Sequence, residues 1–139
     1  MASFVKYEAG IENICKGVII PFSTTNTWKV ALTNSAPNVS THAGLADITE
    51  ISAGNGYSAG GTDSQNTGSR SGGTVTVATT DIVFTASGGS IGPFRYAVLY
   101  DDTSTGDKLI GYWDYGSSVT LSSGQTFTVD FGASVMTLA

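Results

Sequence analysis

Two runs of large residues, Phe94-Arg95-Tyr96-Ala97-Val98-Leu99-Tyr100 and Leu109-Ile110-Gly111-Tyr112-Trp113-Asp114-Tyr115, are each long enough to make a strand. Between them lies Asp101-Asp102-Thr103-Ser104-Thr105-Gly106-Asp107, which holds no apolar residue. Aromatic and aliphatic runs flanking a polar, glycine-containing turn read as a β-hairpin. This chain places its large residues to build a sheet, so its function has to be read from what a small, rigid sheet protein can do.

Composition agrees. Only 12% of the 139 residues are charged, and the polarity comes instead from Ser, Thr, Asn and 18 Gly. Hydroxyl side chains suit exposed strand faces and glycine suits turns, so the mixture is that of an all-β protein with many short connections. The length allows one domain with a real core. Six Lys and Arg against eleven Asp and Glu leave a net charge of −5. Few cations make a poor match for nucleic-acid phosphates or anionic lipid, so neither nucleic acid nor membrane is expected as a partner. No run approaches the roughly 20 apolar residues of a membrane span. The first residues, Met1-Ala2-Ser3-Phe4-Val5-Lys6-Tyr7-Glu8, have neither the basic start nor the apolar stretch of a signal peptide. Cys15 is the one cysteine, which forbids an internal disulfide and points to synthesis in a reducing cytoplasm.

Along the chain, Tyr7, Ile11 and Ile14 share one helical face, and Glu12 precedes Lys16 at the favourable i, i+4 spacing. A short helix is predicted over residues 5–16, with Gly17 as its C-cap and Gly10 as a weakness inside it. Thr27 to Thr33 alternates as a strand, with Trp28, Val30 and Leu32 on one face. A helical turn near residues 43–46 and a strand over Asp47 to Ile51 are predicted next. Ser52 to Gly73 has almost no aliphatic residue and reads as either a flexible, glycine-rich surface excursion or a segment ordered by a partner, with Tyr57 as its anchor. Further strands are predicted at 74–77, 82–84, 119–121, 126–131 and 135–138. In the strand over 126–131, Phe127, Val129 and Phe131 point inward and Thr126, Thr128 and Asp130 outward, the pattern of an antiparallel sheet with one wet face. The whole predicts a single all-β domain, an antiparallel β-sandwich or jelly-roll of about eight short strands with a short N-terminal helix.

Catalytic chemistry is hard to place on these residues. A nucleophilic triad would need His42 as its base, and His42 sits in the polar loop Ser40-Thr41-His42-Ala43. Cys15, beside the apolar helix face, reads as a small packed side chain. One His and one Cys cannot make a zinc tetrad. Asp101, Asp102 and Asp107 crowd one turn but lack the spacing and closing Glu of an EF-hand, and acidic residues are ordinary turn formers. Glu8 and Glu12 read as a solvated helix face, and no pair of carboxylates is set for glycoside cleavage. No Lys follows Gly60-Gly61 or Gly72-Gly73 as a phosphate loop requires. No catalytic residue, cofactor or metal is therefore expected. Trp28, Tyr112, Trp113 and Tyr115 could stack sugars on one sheet face, although core and interface packing is the commoner use of such rings.

Taken in order, several segments resemble a family of small structural proteins of tailed bacteriophages. They are Tyr7…Gly10-Ile11-Glu12…Gly17, Lys29 to Thr33, Ile51-Ser52-Ala53-Gly54-Asn55-Gly56-Tyr57 to Gly61, Arg95 to Tyr100, Leu109 to Gly116, and Phe127…Phe131…Leu138. Some such proteins serve as capsid cement or decoration proteins. The chain departs from that pattern between Thr62 and Gly73, where polar residues and glycine replace an alternating apolar strand. The resemblance implies a virion protein without enzyme activity, made in the host cytoplasm and placed on the capsid surface, where it stabilises the head by binding the major capsid protein. A homotrimer is the expected assembly, because contact with several neighbouring subunits supplies avidity. Phe4, Val5 and Tyr7, with Tyr57, are expected to contribute partner contacts. The alternatives are a neck or tail component and a carbohydrate-binding module for host-surface glycans; an enzyme on a β-scaffold lacks an acid–base set.

Overall fold

The computed structural model describes residues 2–22 and 26–139. Five strands form the main sheet: β1 (Phe4–Lys6), β2 (Trp28–Thr33), β3 (Thr62–Asp63), β7 (Ile91–Asp101) and β8 (Lys108–Leu121), in the order β1-β8-β7-β2-β3. A three-stranded sheet holds β4 (Thr67–Ser71), β5 (Thr74–Ala78) and β10 (Met136–Leu138) in the order β10-β5-β4. A ribbon pairs β6 (Ile82–Thr85) with β9 (Thr126–Val129). Every pairing between these strands is antiparallel. The fold is an all-β sandwich with one short helix, α1 (Glu8–Cys15), near the N-terminus.

The central hairpin is longer than its apolar runs predict. β7 starts at Ile91 and β8 continues to Leu121, so residues 119–121 extend β8 and are not a separate strand. The main core lies between the five-stranded sheet and the smaller sheets. Trp28, Val30, Leu32, Leu99, Ile110 and Trp113 meet Val77, Ile82, Phe84, Val129 and Phe131 there. As the alternation predicts, Val129 and Phe131 are buried and Phe127 packs partly against this core, while Thr126, Thr128 and Asp130 are exposed.

The main sheet is not wet on its other face. Tyr7, Ala31, Ile48, Val98, Tyr100 and Leu109 form a second cluster, with Leu45 and Tyr112 packed against it. Residues N-terminal to the helix and the 43–51 segment supply its cover, and Ala31 and Thr33 are therefore as buried as their neighbours on β2. The period-two alternation of β2 identifies which face each side chain takes, but not that both faces are covered.

Several sequence expectations need correction. Residues 5–6 belong to β1, and the helix begins at Glu8, because Phe4, Val5 and Lys6 find ladder partners in Trp113, Tyr112 and Gly111. Gly17 does cap the helix, at φ 74°, with its N–H on the Ile14 carbonyl and the Val18 N–H on that of Asn13. The expected Glu12–Lys16 ion pair is present. Gly10 is not a weakness of the helix but the reason it can dock. A Cβ there would stand 2.6 Å from the Leu109 carbonyl oxygen of β8, so only glycine permits this approach. The predicted strand over 47–51 reduces to a 3-10 turn at Leu45–Asp47 and a bridge from Glu50 to Thr33.

The segment 52–73 is no loose excursion. Gly54 and Tyr57 exchange backbone hydrogen bonds across Asn55 (φ 56°) and Gly56 (φ 101°), the left-handed pair of a type I′ turn. Thr62–Asp63 pairs with Val30 and Lys29, and Thr67–Ser71 pairs along β5. Tyr57 is the anchor the sequence suggests. Its ring is buried, its hydroxyl accepts the Leu32 N–H at 3.0 Å and donates to Glu50 Oε1 at 2.6 Å. Tyr100 likewise donates to the Gly60 carbonyl at 2.5 Å.

Burial pushes the phenols of Tyr7, Tyr57 and Tyr100 far above the usual tyrosine range, and at Tyr57 the Glu50 carboxylate adds to the effect. Above pH ~10 the unfolded chain sheds these protons while the folded chain keeps them, so stability is full below that pH and falls as pH rises further. Thermal melting followed from pH 8 to 12 should show Tm dropping from about pH 10, with phenolate absorbance appearing together with unfolding. Phenolate signal from all six tyrosines in a still-folded chain would refute this account.

Candidate functional site

A groove of about 510 Å³ opens between β9 and the β7–β8 hairpin. Its geometry begins with a register shift. Phe94 faces Val119 and Tyr96 faces Asp114, so residues 115–118 of β8 bulge out opposite Arg95. Such bulges re-aim side chains at sheet edges and sites. Here the bulge turns through Gly116 at φ 98° and leaves Tyr115 57% exposed at the groove.

The bulge is pinned. Arg95 grips Asp114 with both arms of its fork, Nε to Oδ1 at 2.7 Å and Nη2 to Oδ2 at 2.9 Å. Asp114 Oδ1 also accepts the Gly116 N–H at 2.8 Å. The Arg95 fork holds the Asp114 carboxyl below the usual carboxylate range, and Asp114 in turn raises Arg95. The Arg95 guanidinium lies 5.3 Å from the Tyr96 ring centroid. Below the exposed ring, Tyr115 meets Phe127 edge-on, with centroids 5.3 Å apart, and Phe127 meets Phe94 the same way at 5.0 Å. Thr128 on β9 and Asp130 just beyond its end also line the groove.

The four residues expected to contact a partner fall in different environments. Val5 is exposed and Phe4 is half-buried against Trp113, with centroids 4.8 Å apart. Tyr7 and Tyr57 are buried inside the chain. Four of the seven exposed large hydrophobic side chains among the described residues come from the N-terminal stretch: Val5, Ile11, Val18 and Phe22. Cys15, the last residue of the helix, is exposed, not packed: the helix docks through Gly10 and, at this end, through Ile14. Reading Ile11 as part of the packed helix face missed this surface.

The ring platform does not assemble either. Trp28 and Trp113 are core residues, Tyr112 borders the second cluster, and Tyr115 alone is exposed. His42 stays a loop residue, its Nδ1 accepting the Asn38 N–H at 3.2 Å. Of the turn acids, Asp102 pairs with Lys29 at 3.0 Å, whereas Asp101 turns inward. Its Oδ1 accepts the N–H groups of Thr103 and Ser104, and its Oδ2 accepts from Asn26 Nδ2 at 2.6 Å and the Ile20 N–H at 3.3 Å. Among the described residues no three His, Cys, Asp or Glu side chains are grouped to hold a metal, and no helix is long and apolar enough to cross a membrane.

No protein-family model, curated protein or solved structure matches this chain.

Proposed function

We propose that this chain is a virion structural protein, a capsid cement protein that stabilises a phage head by binding the major capsid protein as a homotrimer. The observation that carries this reading is that three large apolar side chains of the N-terminal stretch, Val5, Ile11 and Val18, are exposed. A contiguous exposed apolar patch marks an association surface, and such a patch is what this reading requires of the N-terminal stretch. The ordered segments that resemble small phage structural proteins point the same way. The buried polar groups Asp101 and Tyr57 are used in bracing the chain: Asp101 accepts from Asn26 and Tyr57 from the Leu32 N–H. A low share of charge suits docking by shape and apolar contact.

The test uses purified shells made without this chain. Added protein should bind them saturably and raise their disruption temperature. Val5→Asp with Ile11→Asp should weaken binding by at least about tenfold at a temperature where the variant is still folded, as its own melting curve shows, because both side chains reach the surface. Image reconstruction should place the chain on the head, and density at the neck or tail would replace cement with that assignment. Shells that ignore the protein at any concentration would overturn the reading.

A further inference from the structure

We propose that Asn55-Gly56 is a spontaneous modification site: Asn55 deamidates once the 54–57 turn opens, and the closed turn holds the reaction off. This goes beyond the capsid role and rests on none of it. The chain's asparagines are Asn13, Asn26, Asn34, Asn38, Asn55 and Asn66; Asn55 alone precedes a glycine, and no aspartate does. The chemistry singles out that pair. The Gly56 backbone nitrogen attacks the side-chain carbonyl carbon of Asn55, and the new C–N bond closes a five-membered succinimide. The side-chain nitrogen leaves as ammonia, taking the proton that the backbone nitrogen gives up. Water then adds to one of the two ring carbonyls. It opens the ring to aspartate or, with the main chain rerouted through the side chain, to isoaspartate. Glycine leaves the attacking nitrogen unhindered, because it carries no Cβ.

Asn55 lies on the surface, so water reaches it. The folded geometry nevertheless keeps the two reacting atoms apart. Asn55 is the first of the two left-handed residues of its type I′ turn, at φ 56°, and such a residue has ψ of about +30°. That torsion sets the Gly56 nitrogen on the far side of the Cα–C bond from Cβ, pointing away from the side chain. Turning it would swing the Asn55 carbonyl, which accepts the Ser87 N–H at 2.8 Å, and would break the pairing of Gly54 with Tyr57 at 2.7 and 3.1 Å. The main chain is also pressed against β6, since a Cβ on Gly56 would stand 2.1 Å from the Thr85 carbonyl oxygen. The side chain is held as well. Its Nδ2 donates to the Ser90 carbonyl at 3.0 Å, and its amide lies over Gly89, where an added Cβ would come within 2.6 Å.

Deamidation undoes this fastening. Aspartate at 55 has no donor for the Ser90 carbonyl and sets a carboxylate against it. Isoaspartate adds a carbon to a main-chain loop whose geometry fits two residues. Tyr57, two positions on, joins Leu32 to Glu50 through its hydroxyl, so the change reaches an anchor of the fold. The site is a slow, irreversible timer, run by the fraction of time the turn stands open.

The experiment incubates the full chain in mildly alkaline buffer, once folded and once in urea above its unfolding midpoint. Each asparagine-containing peptide is followed by mass spectrometry, with isoaspartate scored separately. In urea Asn55 should convert before every other asparagine. In the folded chain it should convert at least about tenfold more slowly, because reaction passes through opening. Another asparagine converting first in urea, or a smaller difference between the folded and unfolded chains, would overturn the proposal. Asn55→Asp supplies the aspartate product directly and should lower Tm by about 2–6 °C. A variant that melts with the parent would overturn the fastening role of this side chain. Shell binding is read separately, so failure here leaves the capsid reading untouched.

Discussion

Trp28→Ala is expected to destabilise the folded chain by about 3–5 kcal/mol, the range for deleting a fully buried large ring. Trp28 has no exposed surface and is the largest of the fully buried side chains. It sits in the main core with Val30 and Leu32 beside it on β2. Its indole Nε1 donates to the Ile20 carbonyl at 3.1 Å, so truncation also leaves that carbonyl without its partner. The loss is large against the roughly 5–15 kcal/mol that holds a typical domain together. Urea unfolding should show the midpoint falling with an unchanged slope. A variant that unfolds with the parent would mean that the ring is not in the core and that β2 is misplaced.

Asp101→Ala should cost about 2–6 kcal/mol, since a buried donor left unsatisfied costs about 1–3 kcal/mol and two of its hydrogen bonds, from Asn26 and Ser104, are buried. Four donors converge on this carboxylate, from Ile20, Asn26, Thr103 and Ser104. Asp101 thus ties the tip of the central hairpin to the segment that leads into β2. Asp101→Asn keeps the shape but turns one acceptor into a donor facing other donors, so it should recover only part of the loss. Equal stability of parent and Asp101→Ala would show that water replaces the carboxylate without penalty.

Much of this architecture is legible locally. Alternation of apolar and polar residues identifies β2, β5, β6, β9 and the central hairpin, since a strand's side chains take opposite faces in turn. Gly17 marks the end of the helix, and Tyr57, the one large residue in a polar stretch, marks an anchor. Two further local signals lie in the sequence. Asn55-Gly56 is a strong hairpin-turn dipeptide, and it sits within the segment read as an excursion. Gly111 and Gly116, inside an aromatic strand, hint at close approach and a bulge. Cys15 and Ile11 are exposed: helical periodicity reports which side chains align, not which of them the sheet reaches.

The residues alone determined the β character, the single short helix and the hairpin at the centre, because each of these rests on neighbours in the chain. Tertiary structure decided the rest. It made strands of Thr62–Asp63 and Thr67–Ser71, whose polar side chains carry no apolar pattern, by offering β2 and β5 as partners for their backbone groups. It covered both faces of the main sheet. It also brought Arg95, Asp114, Tyr115 and Phe127 around one groove. Such pairings join distant residues, and their free energy comes from ladder hydrogen bonds and burial that exist only once the chain has closed on itself.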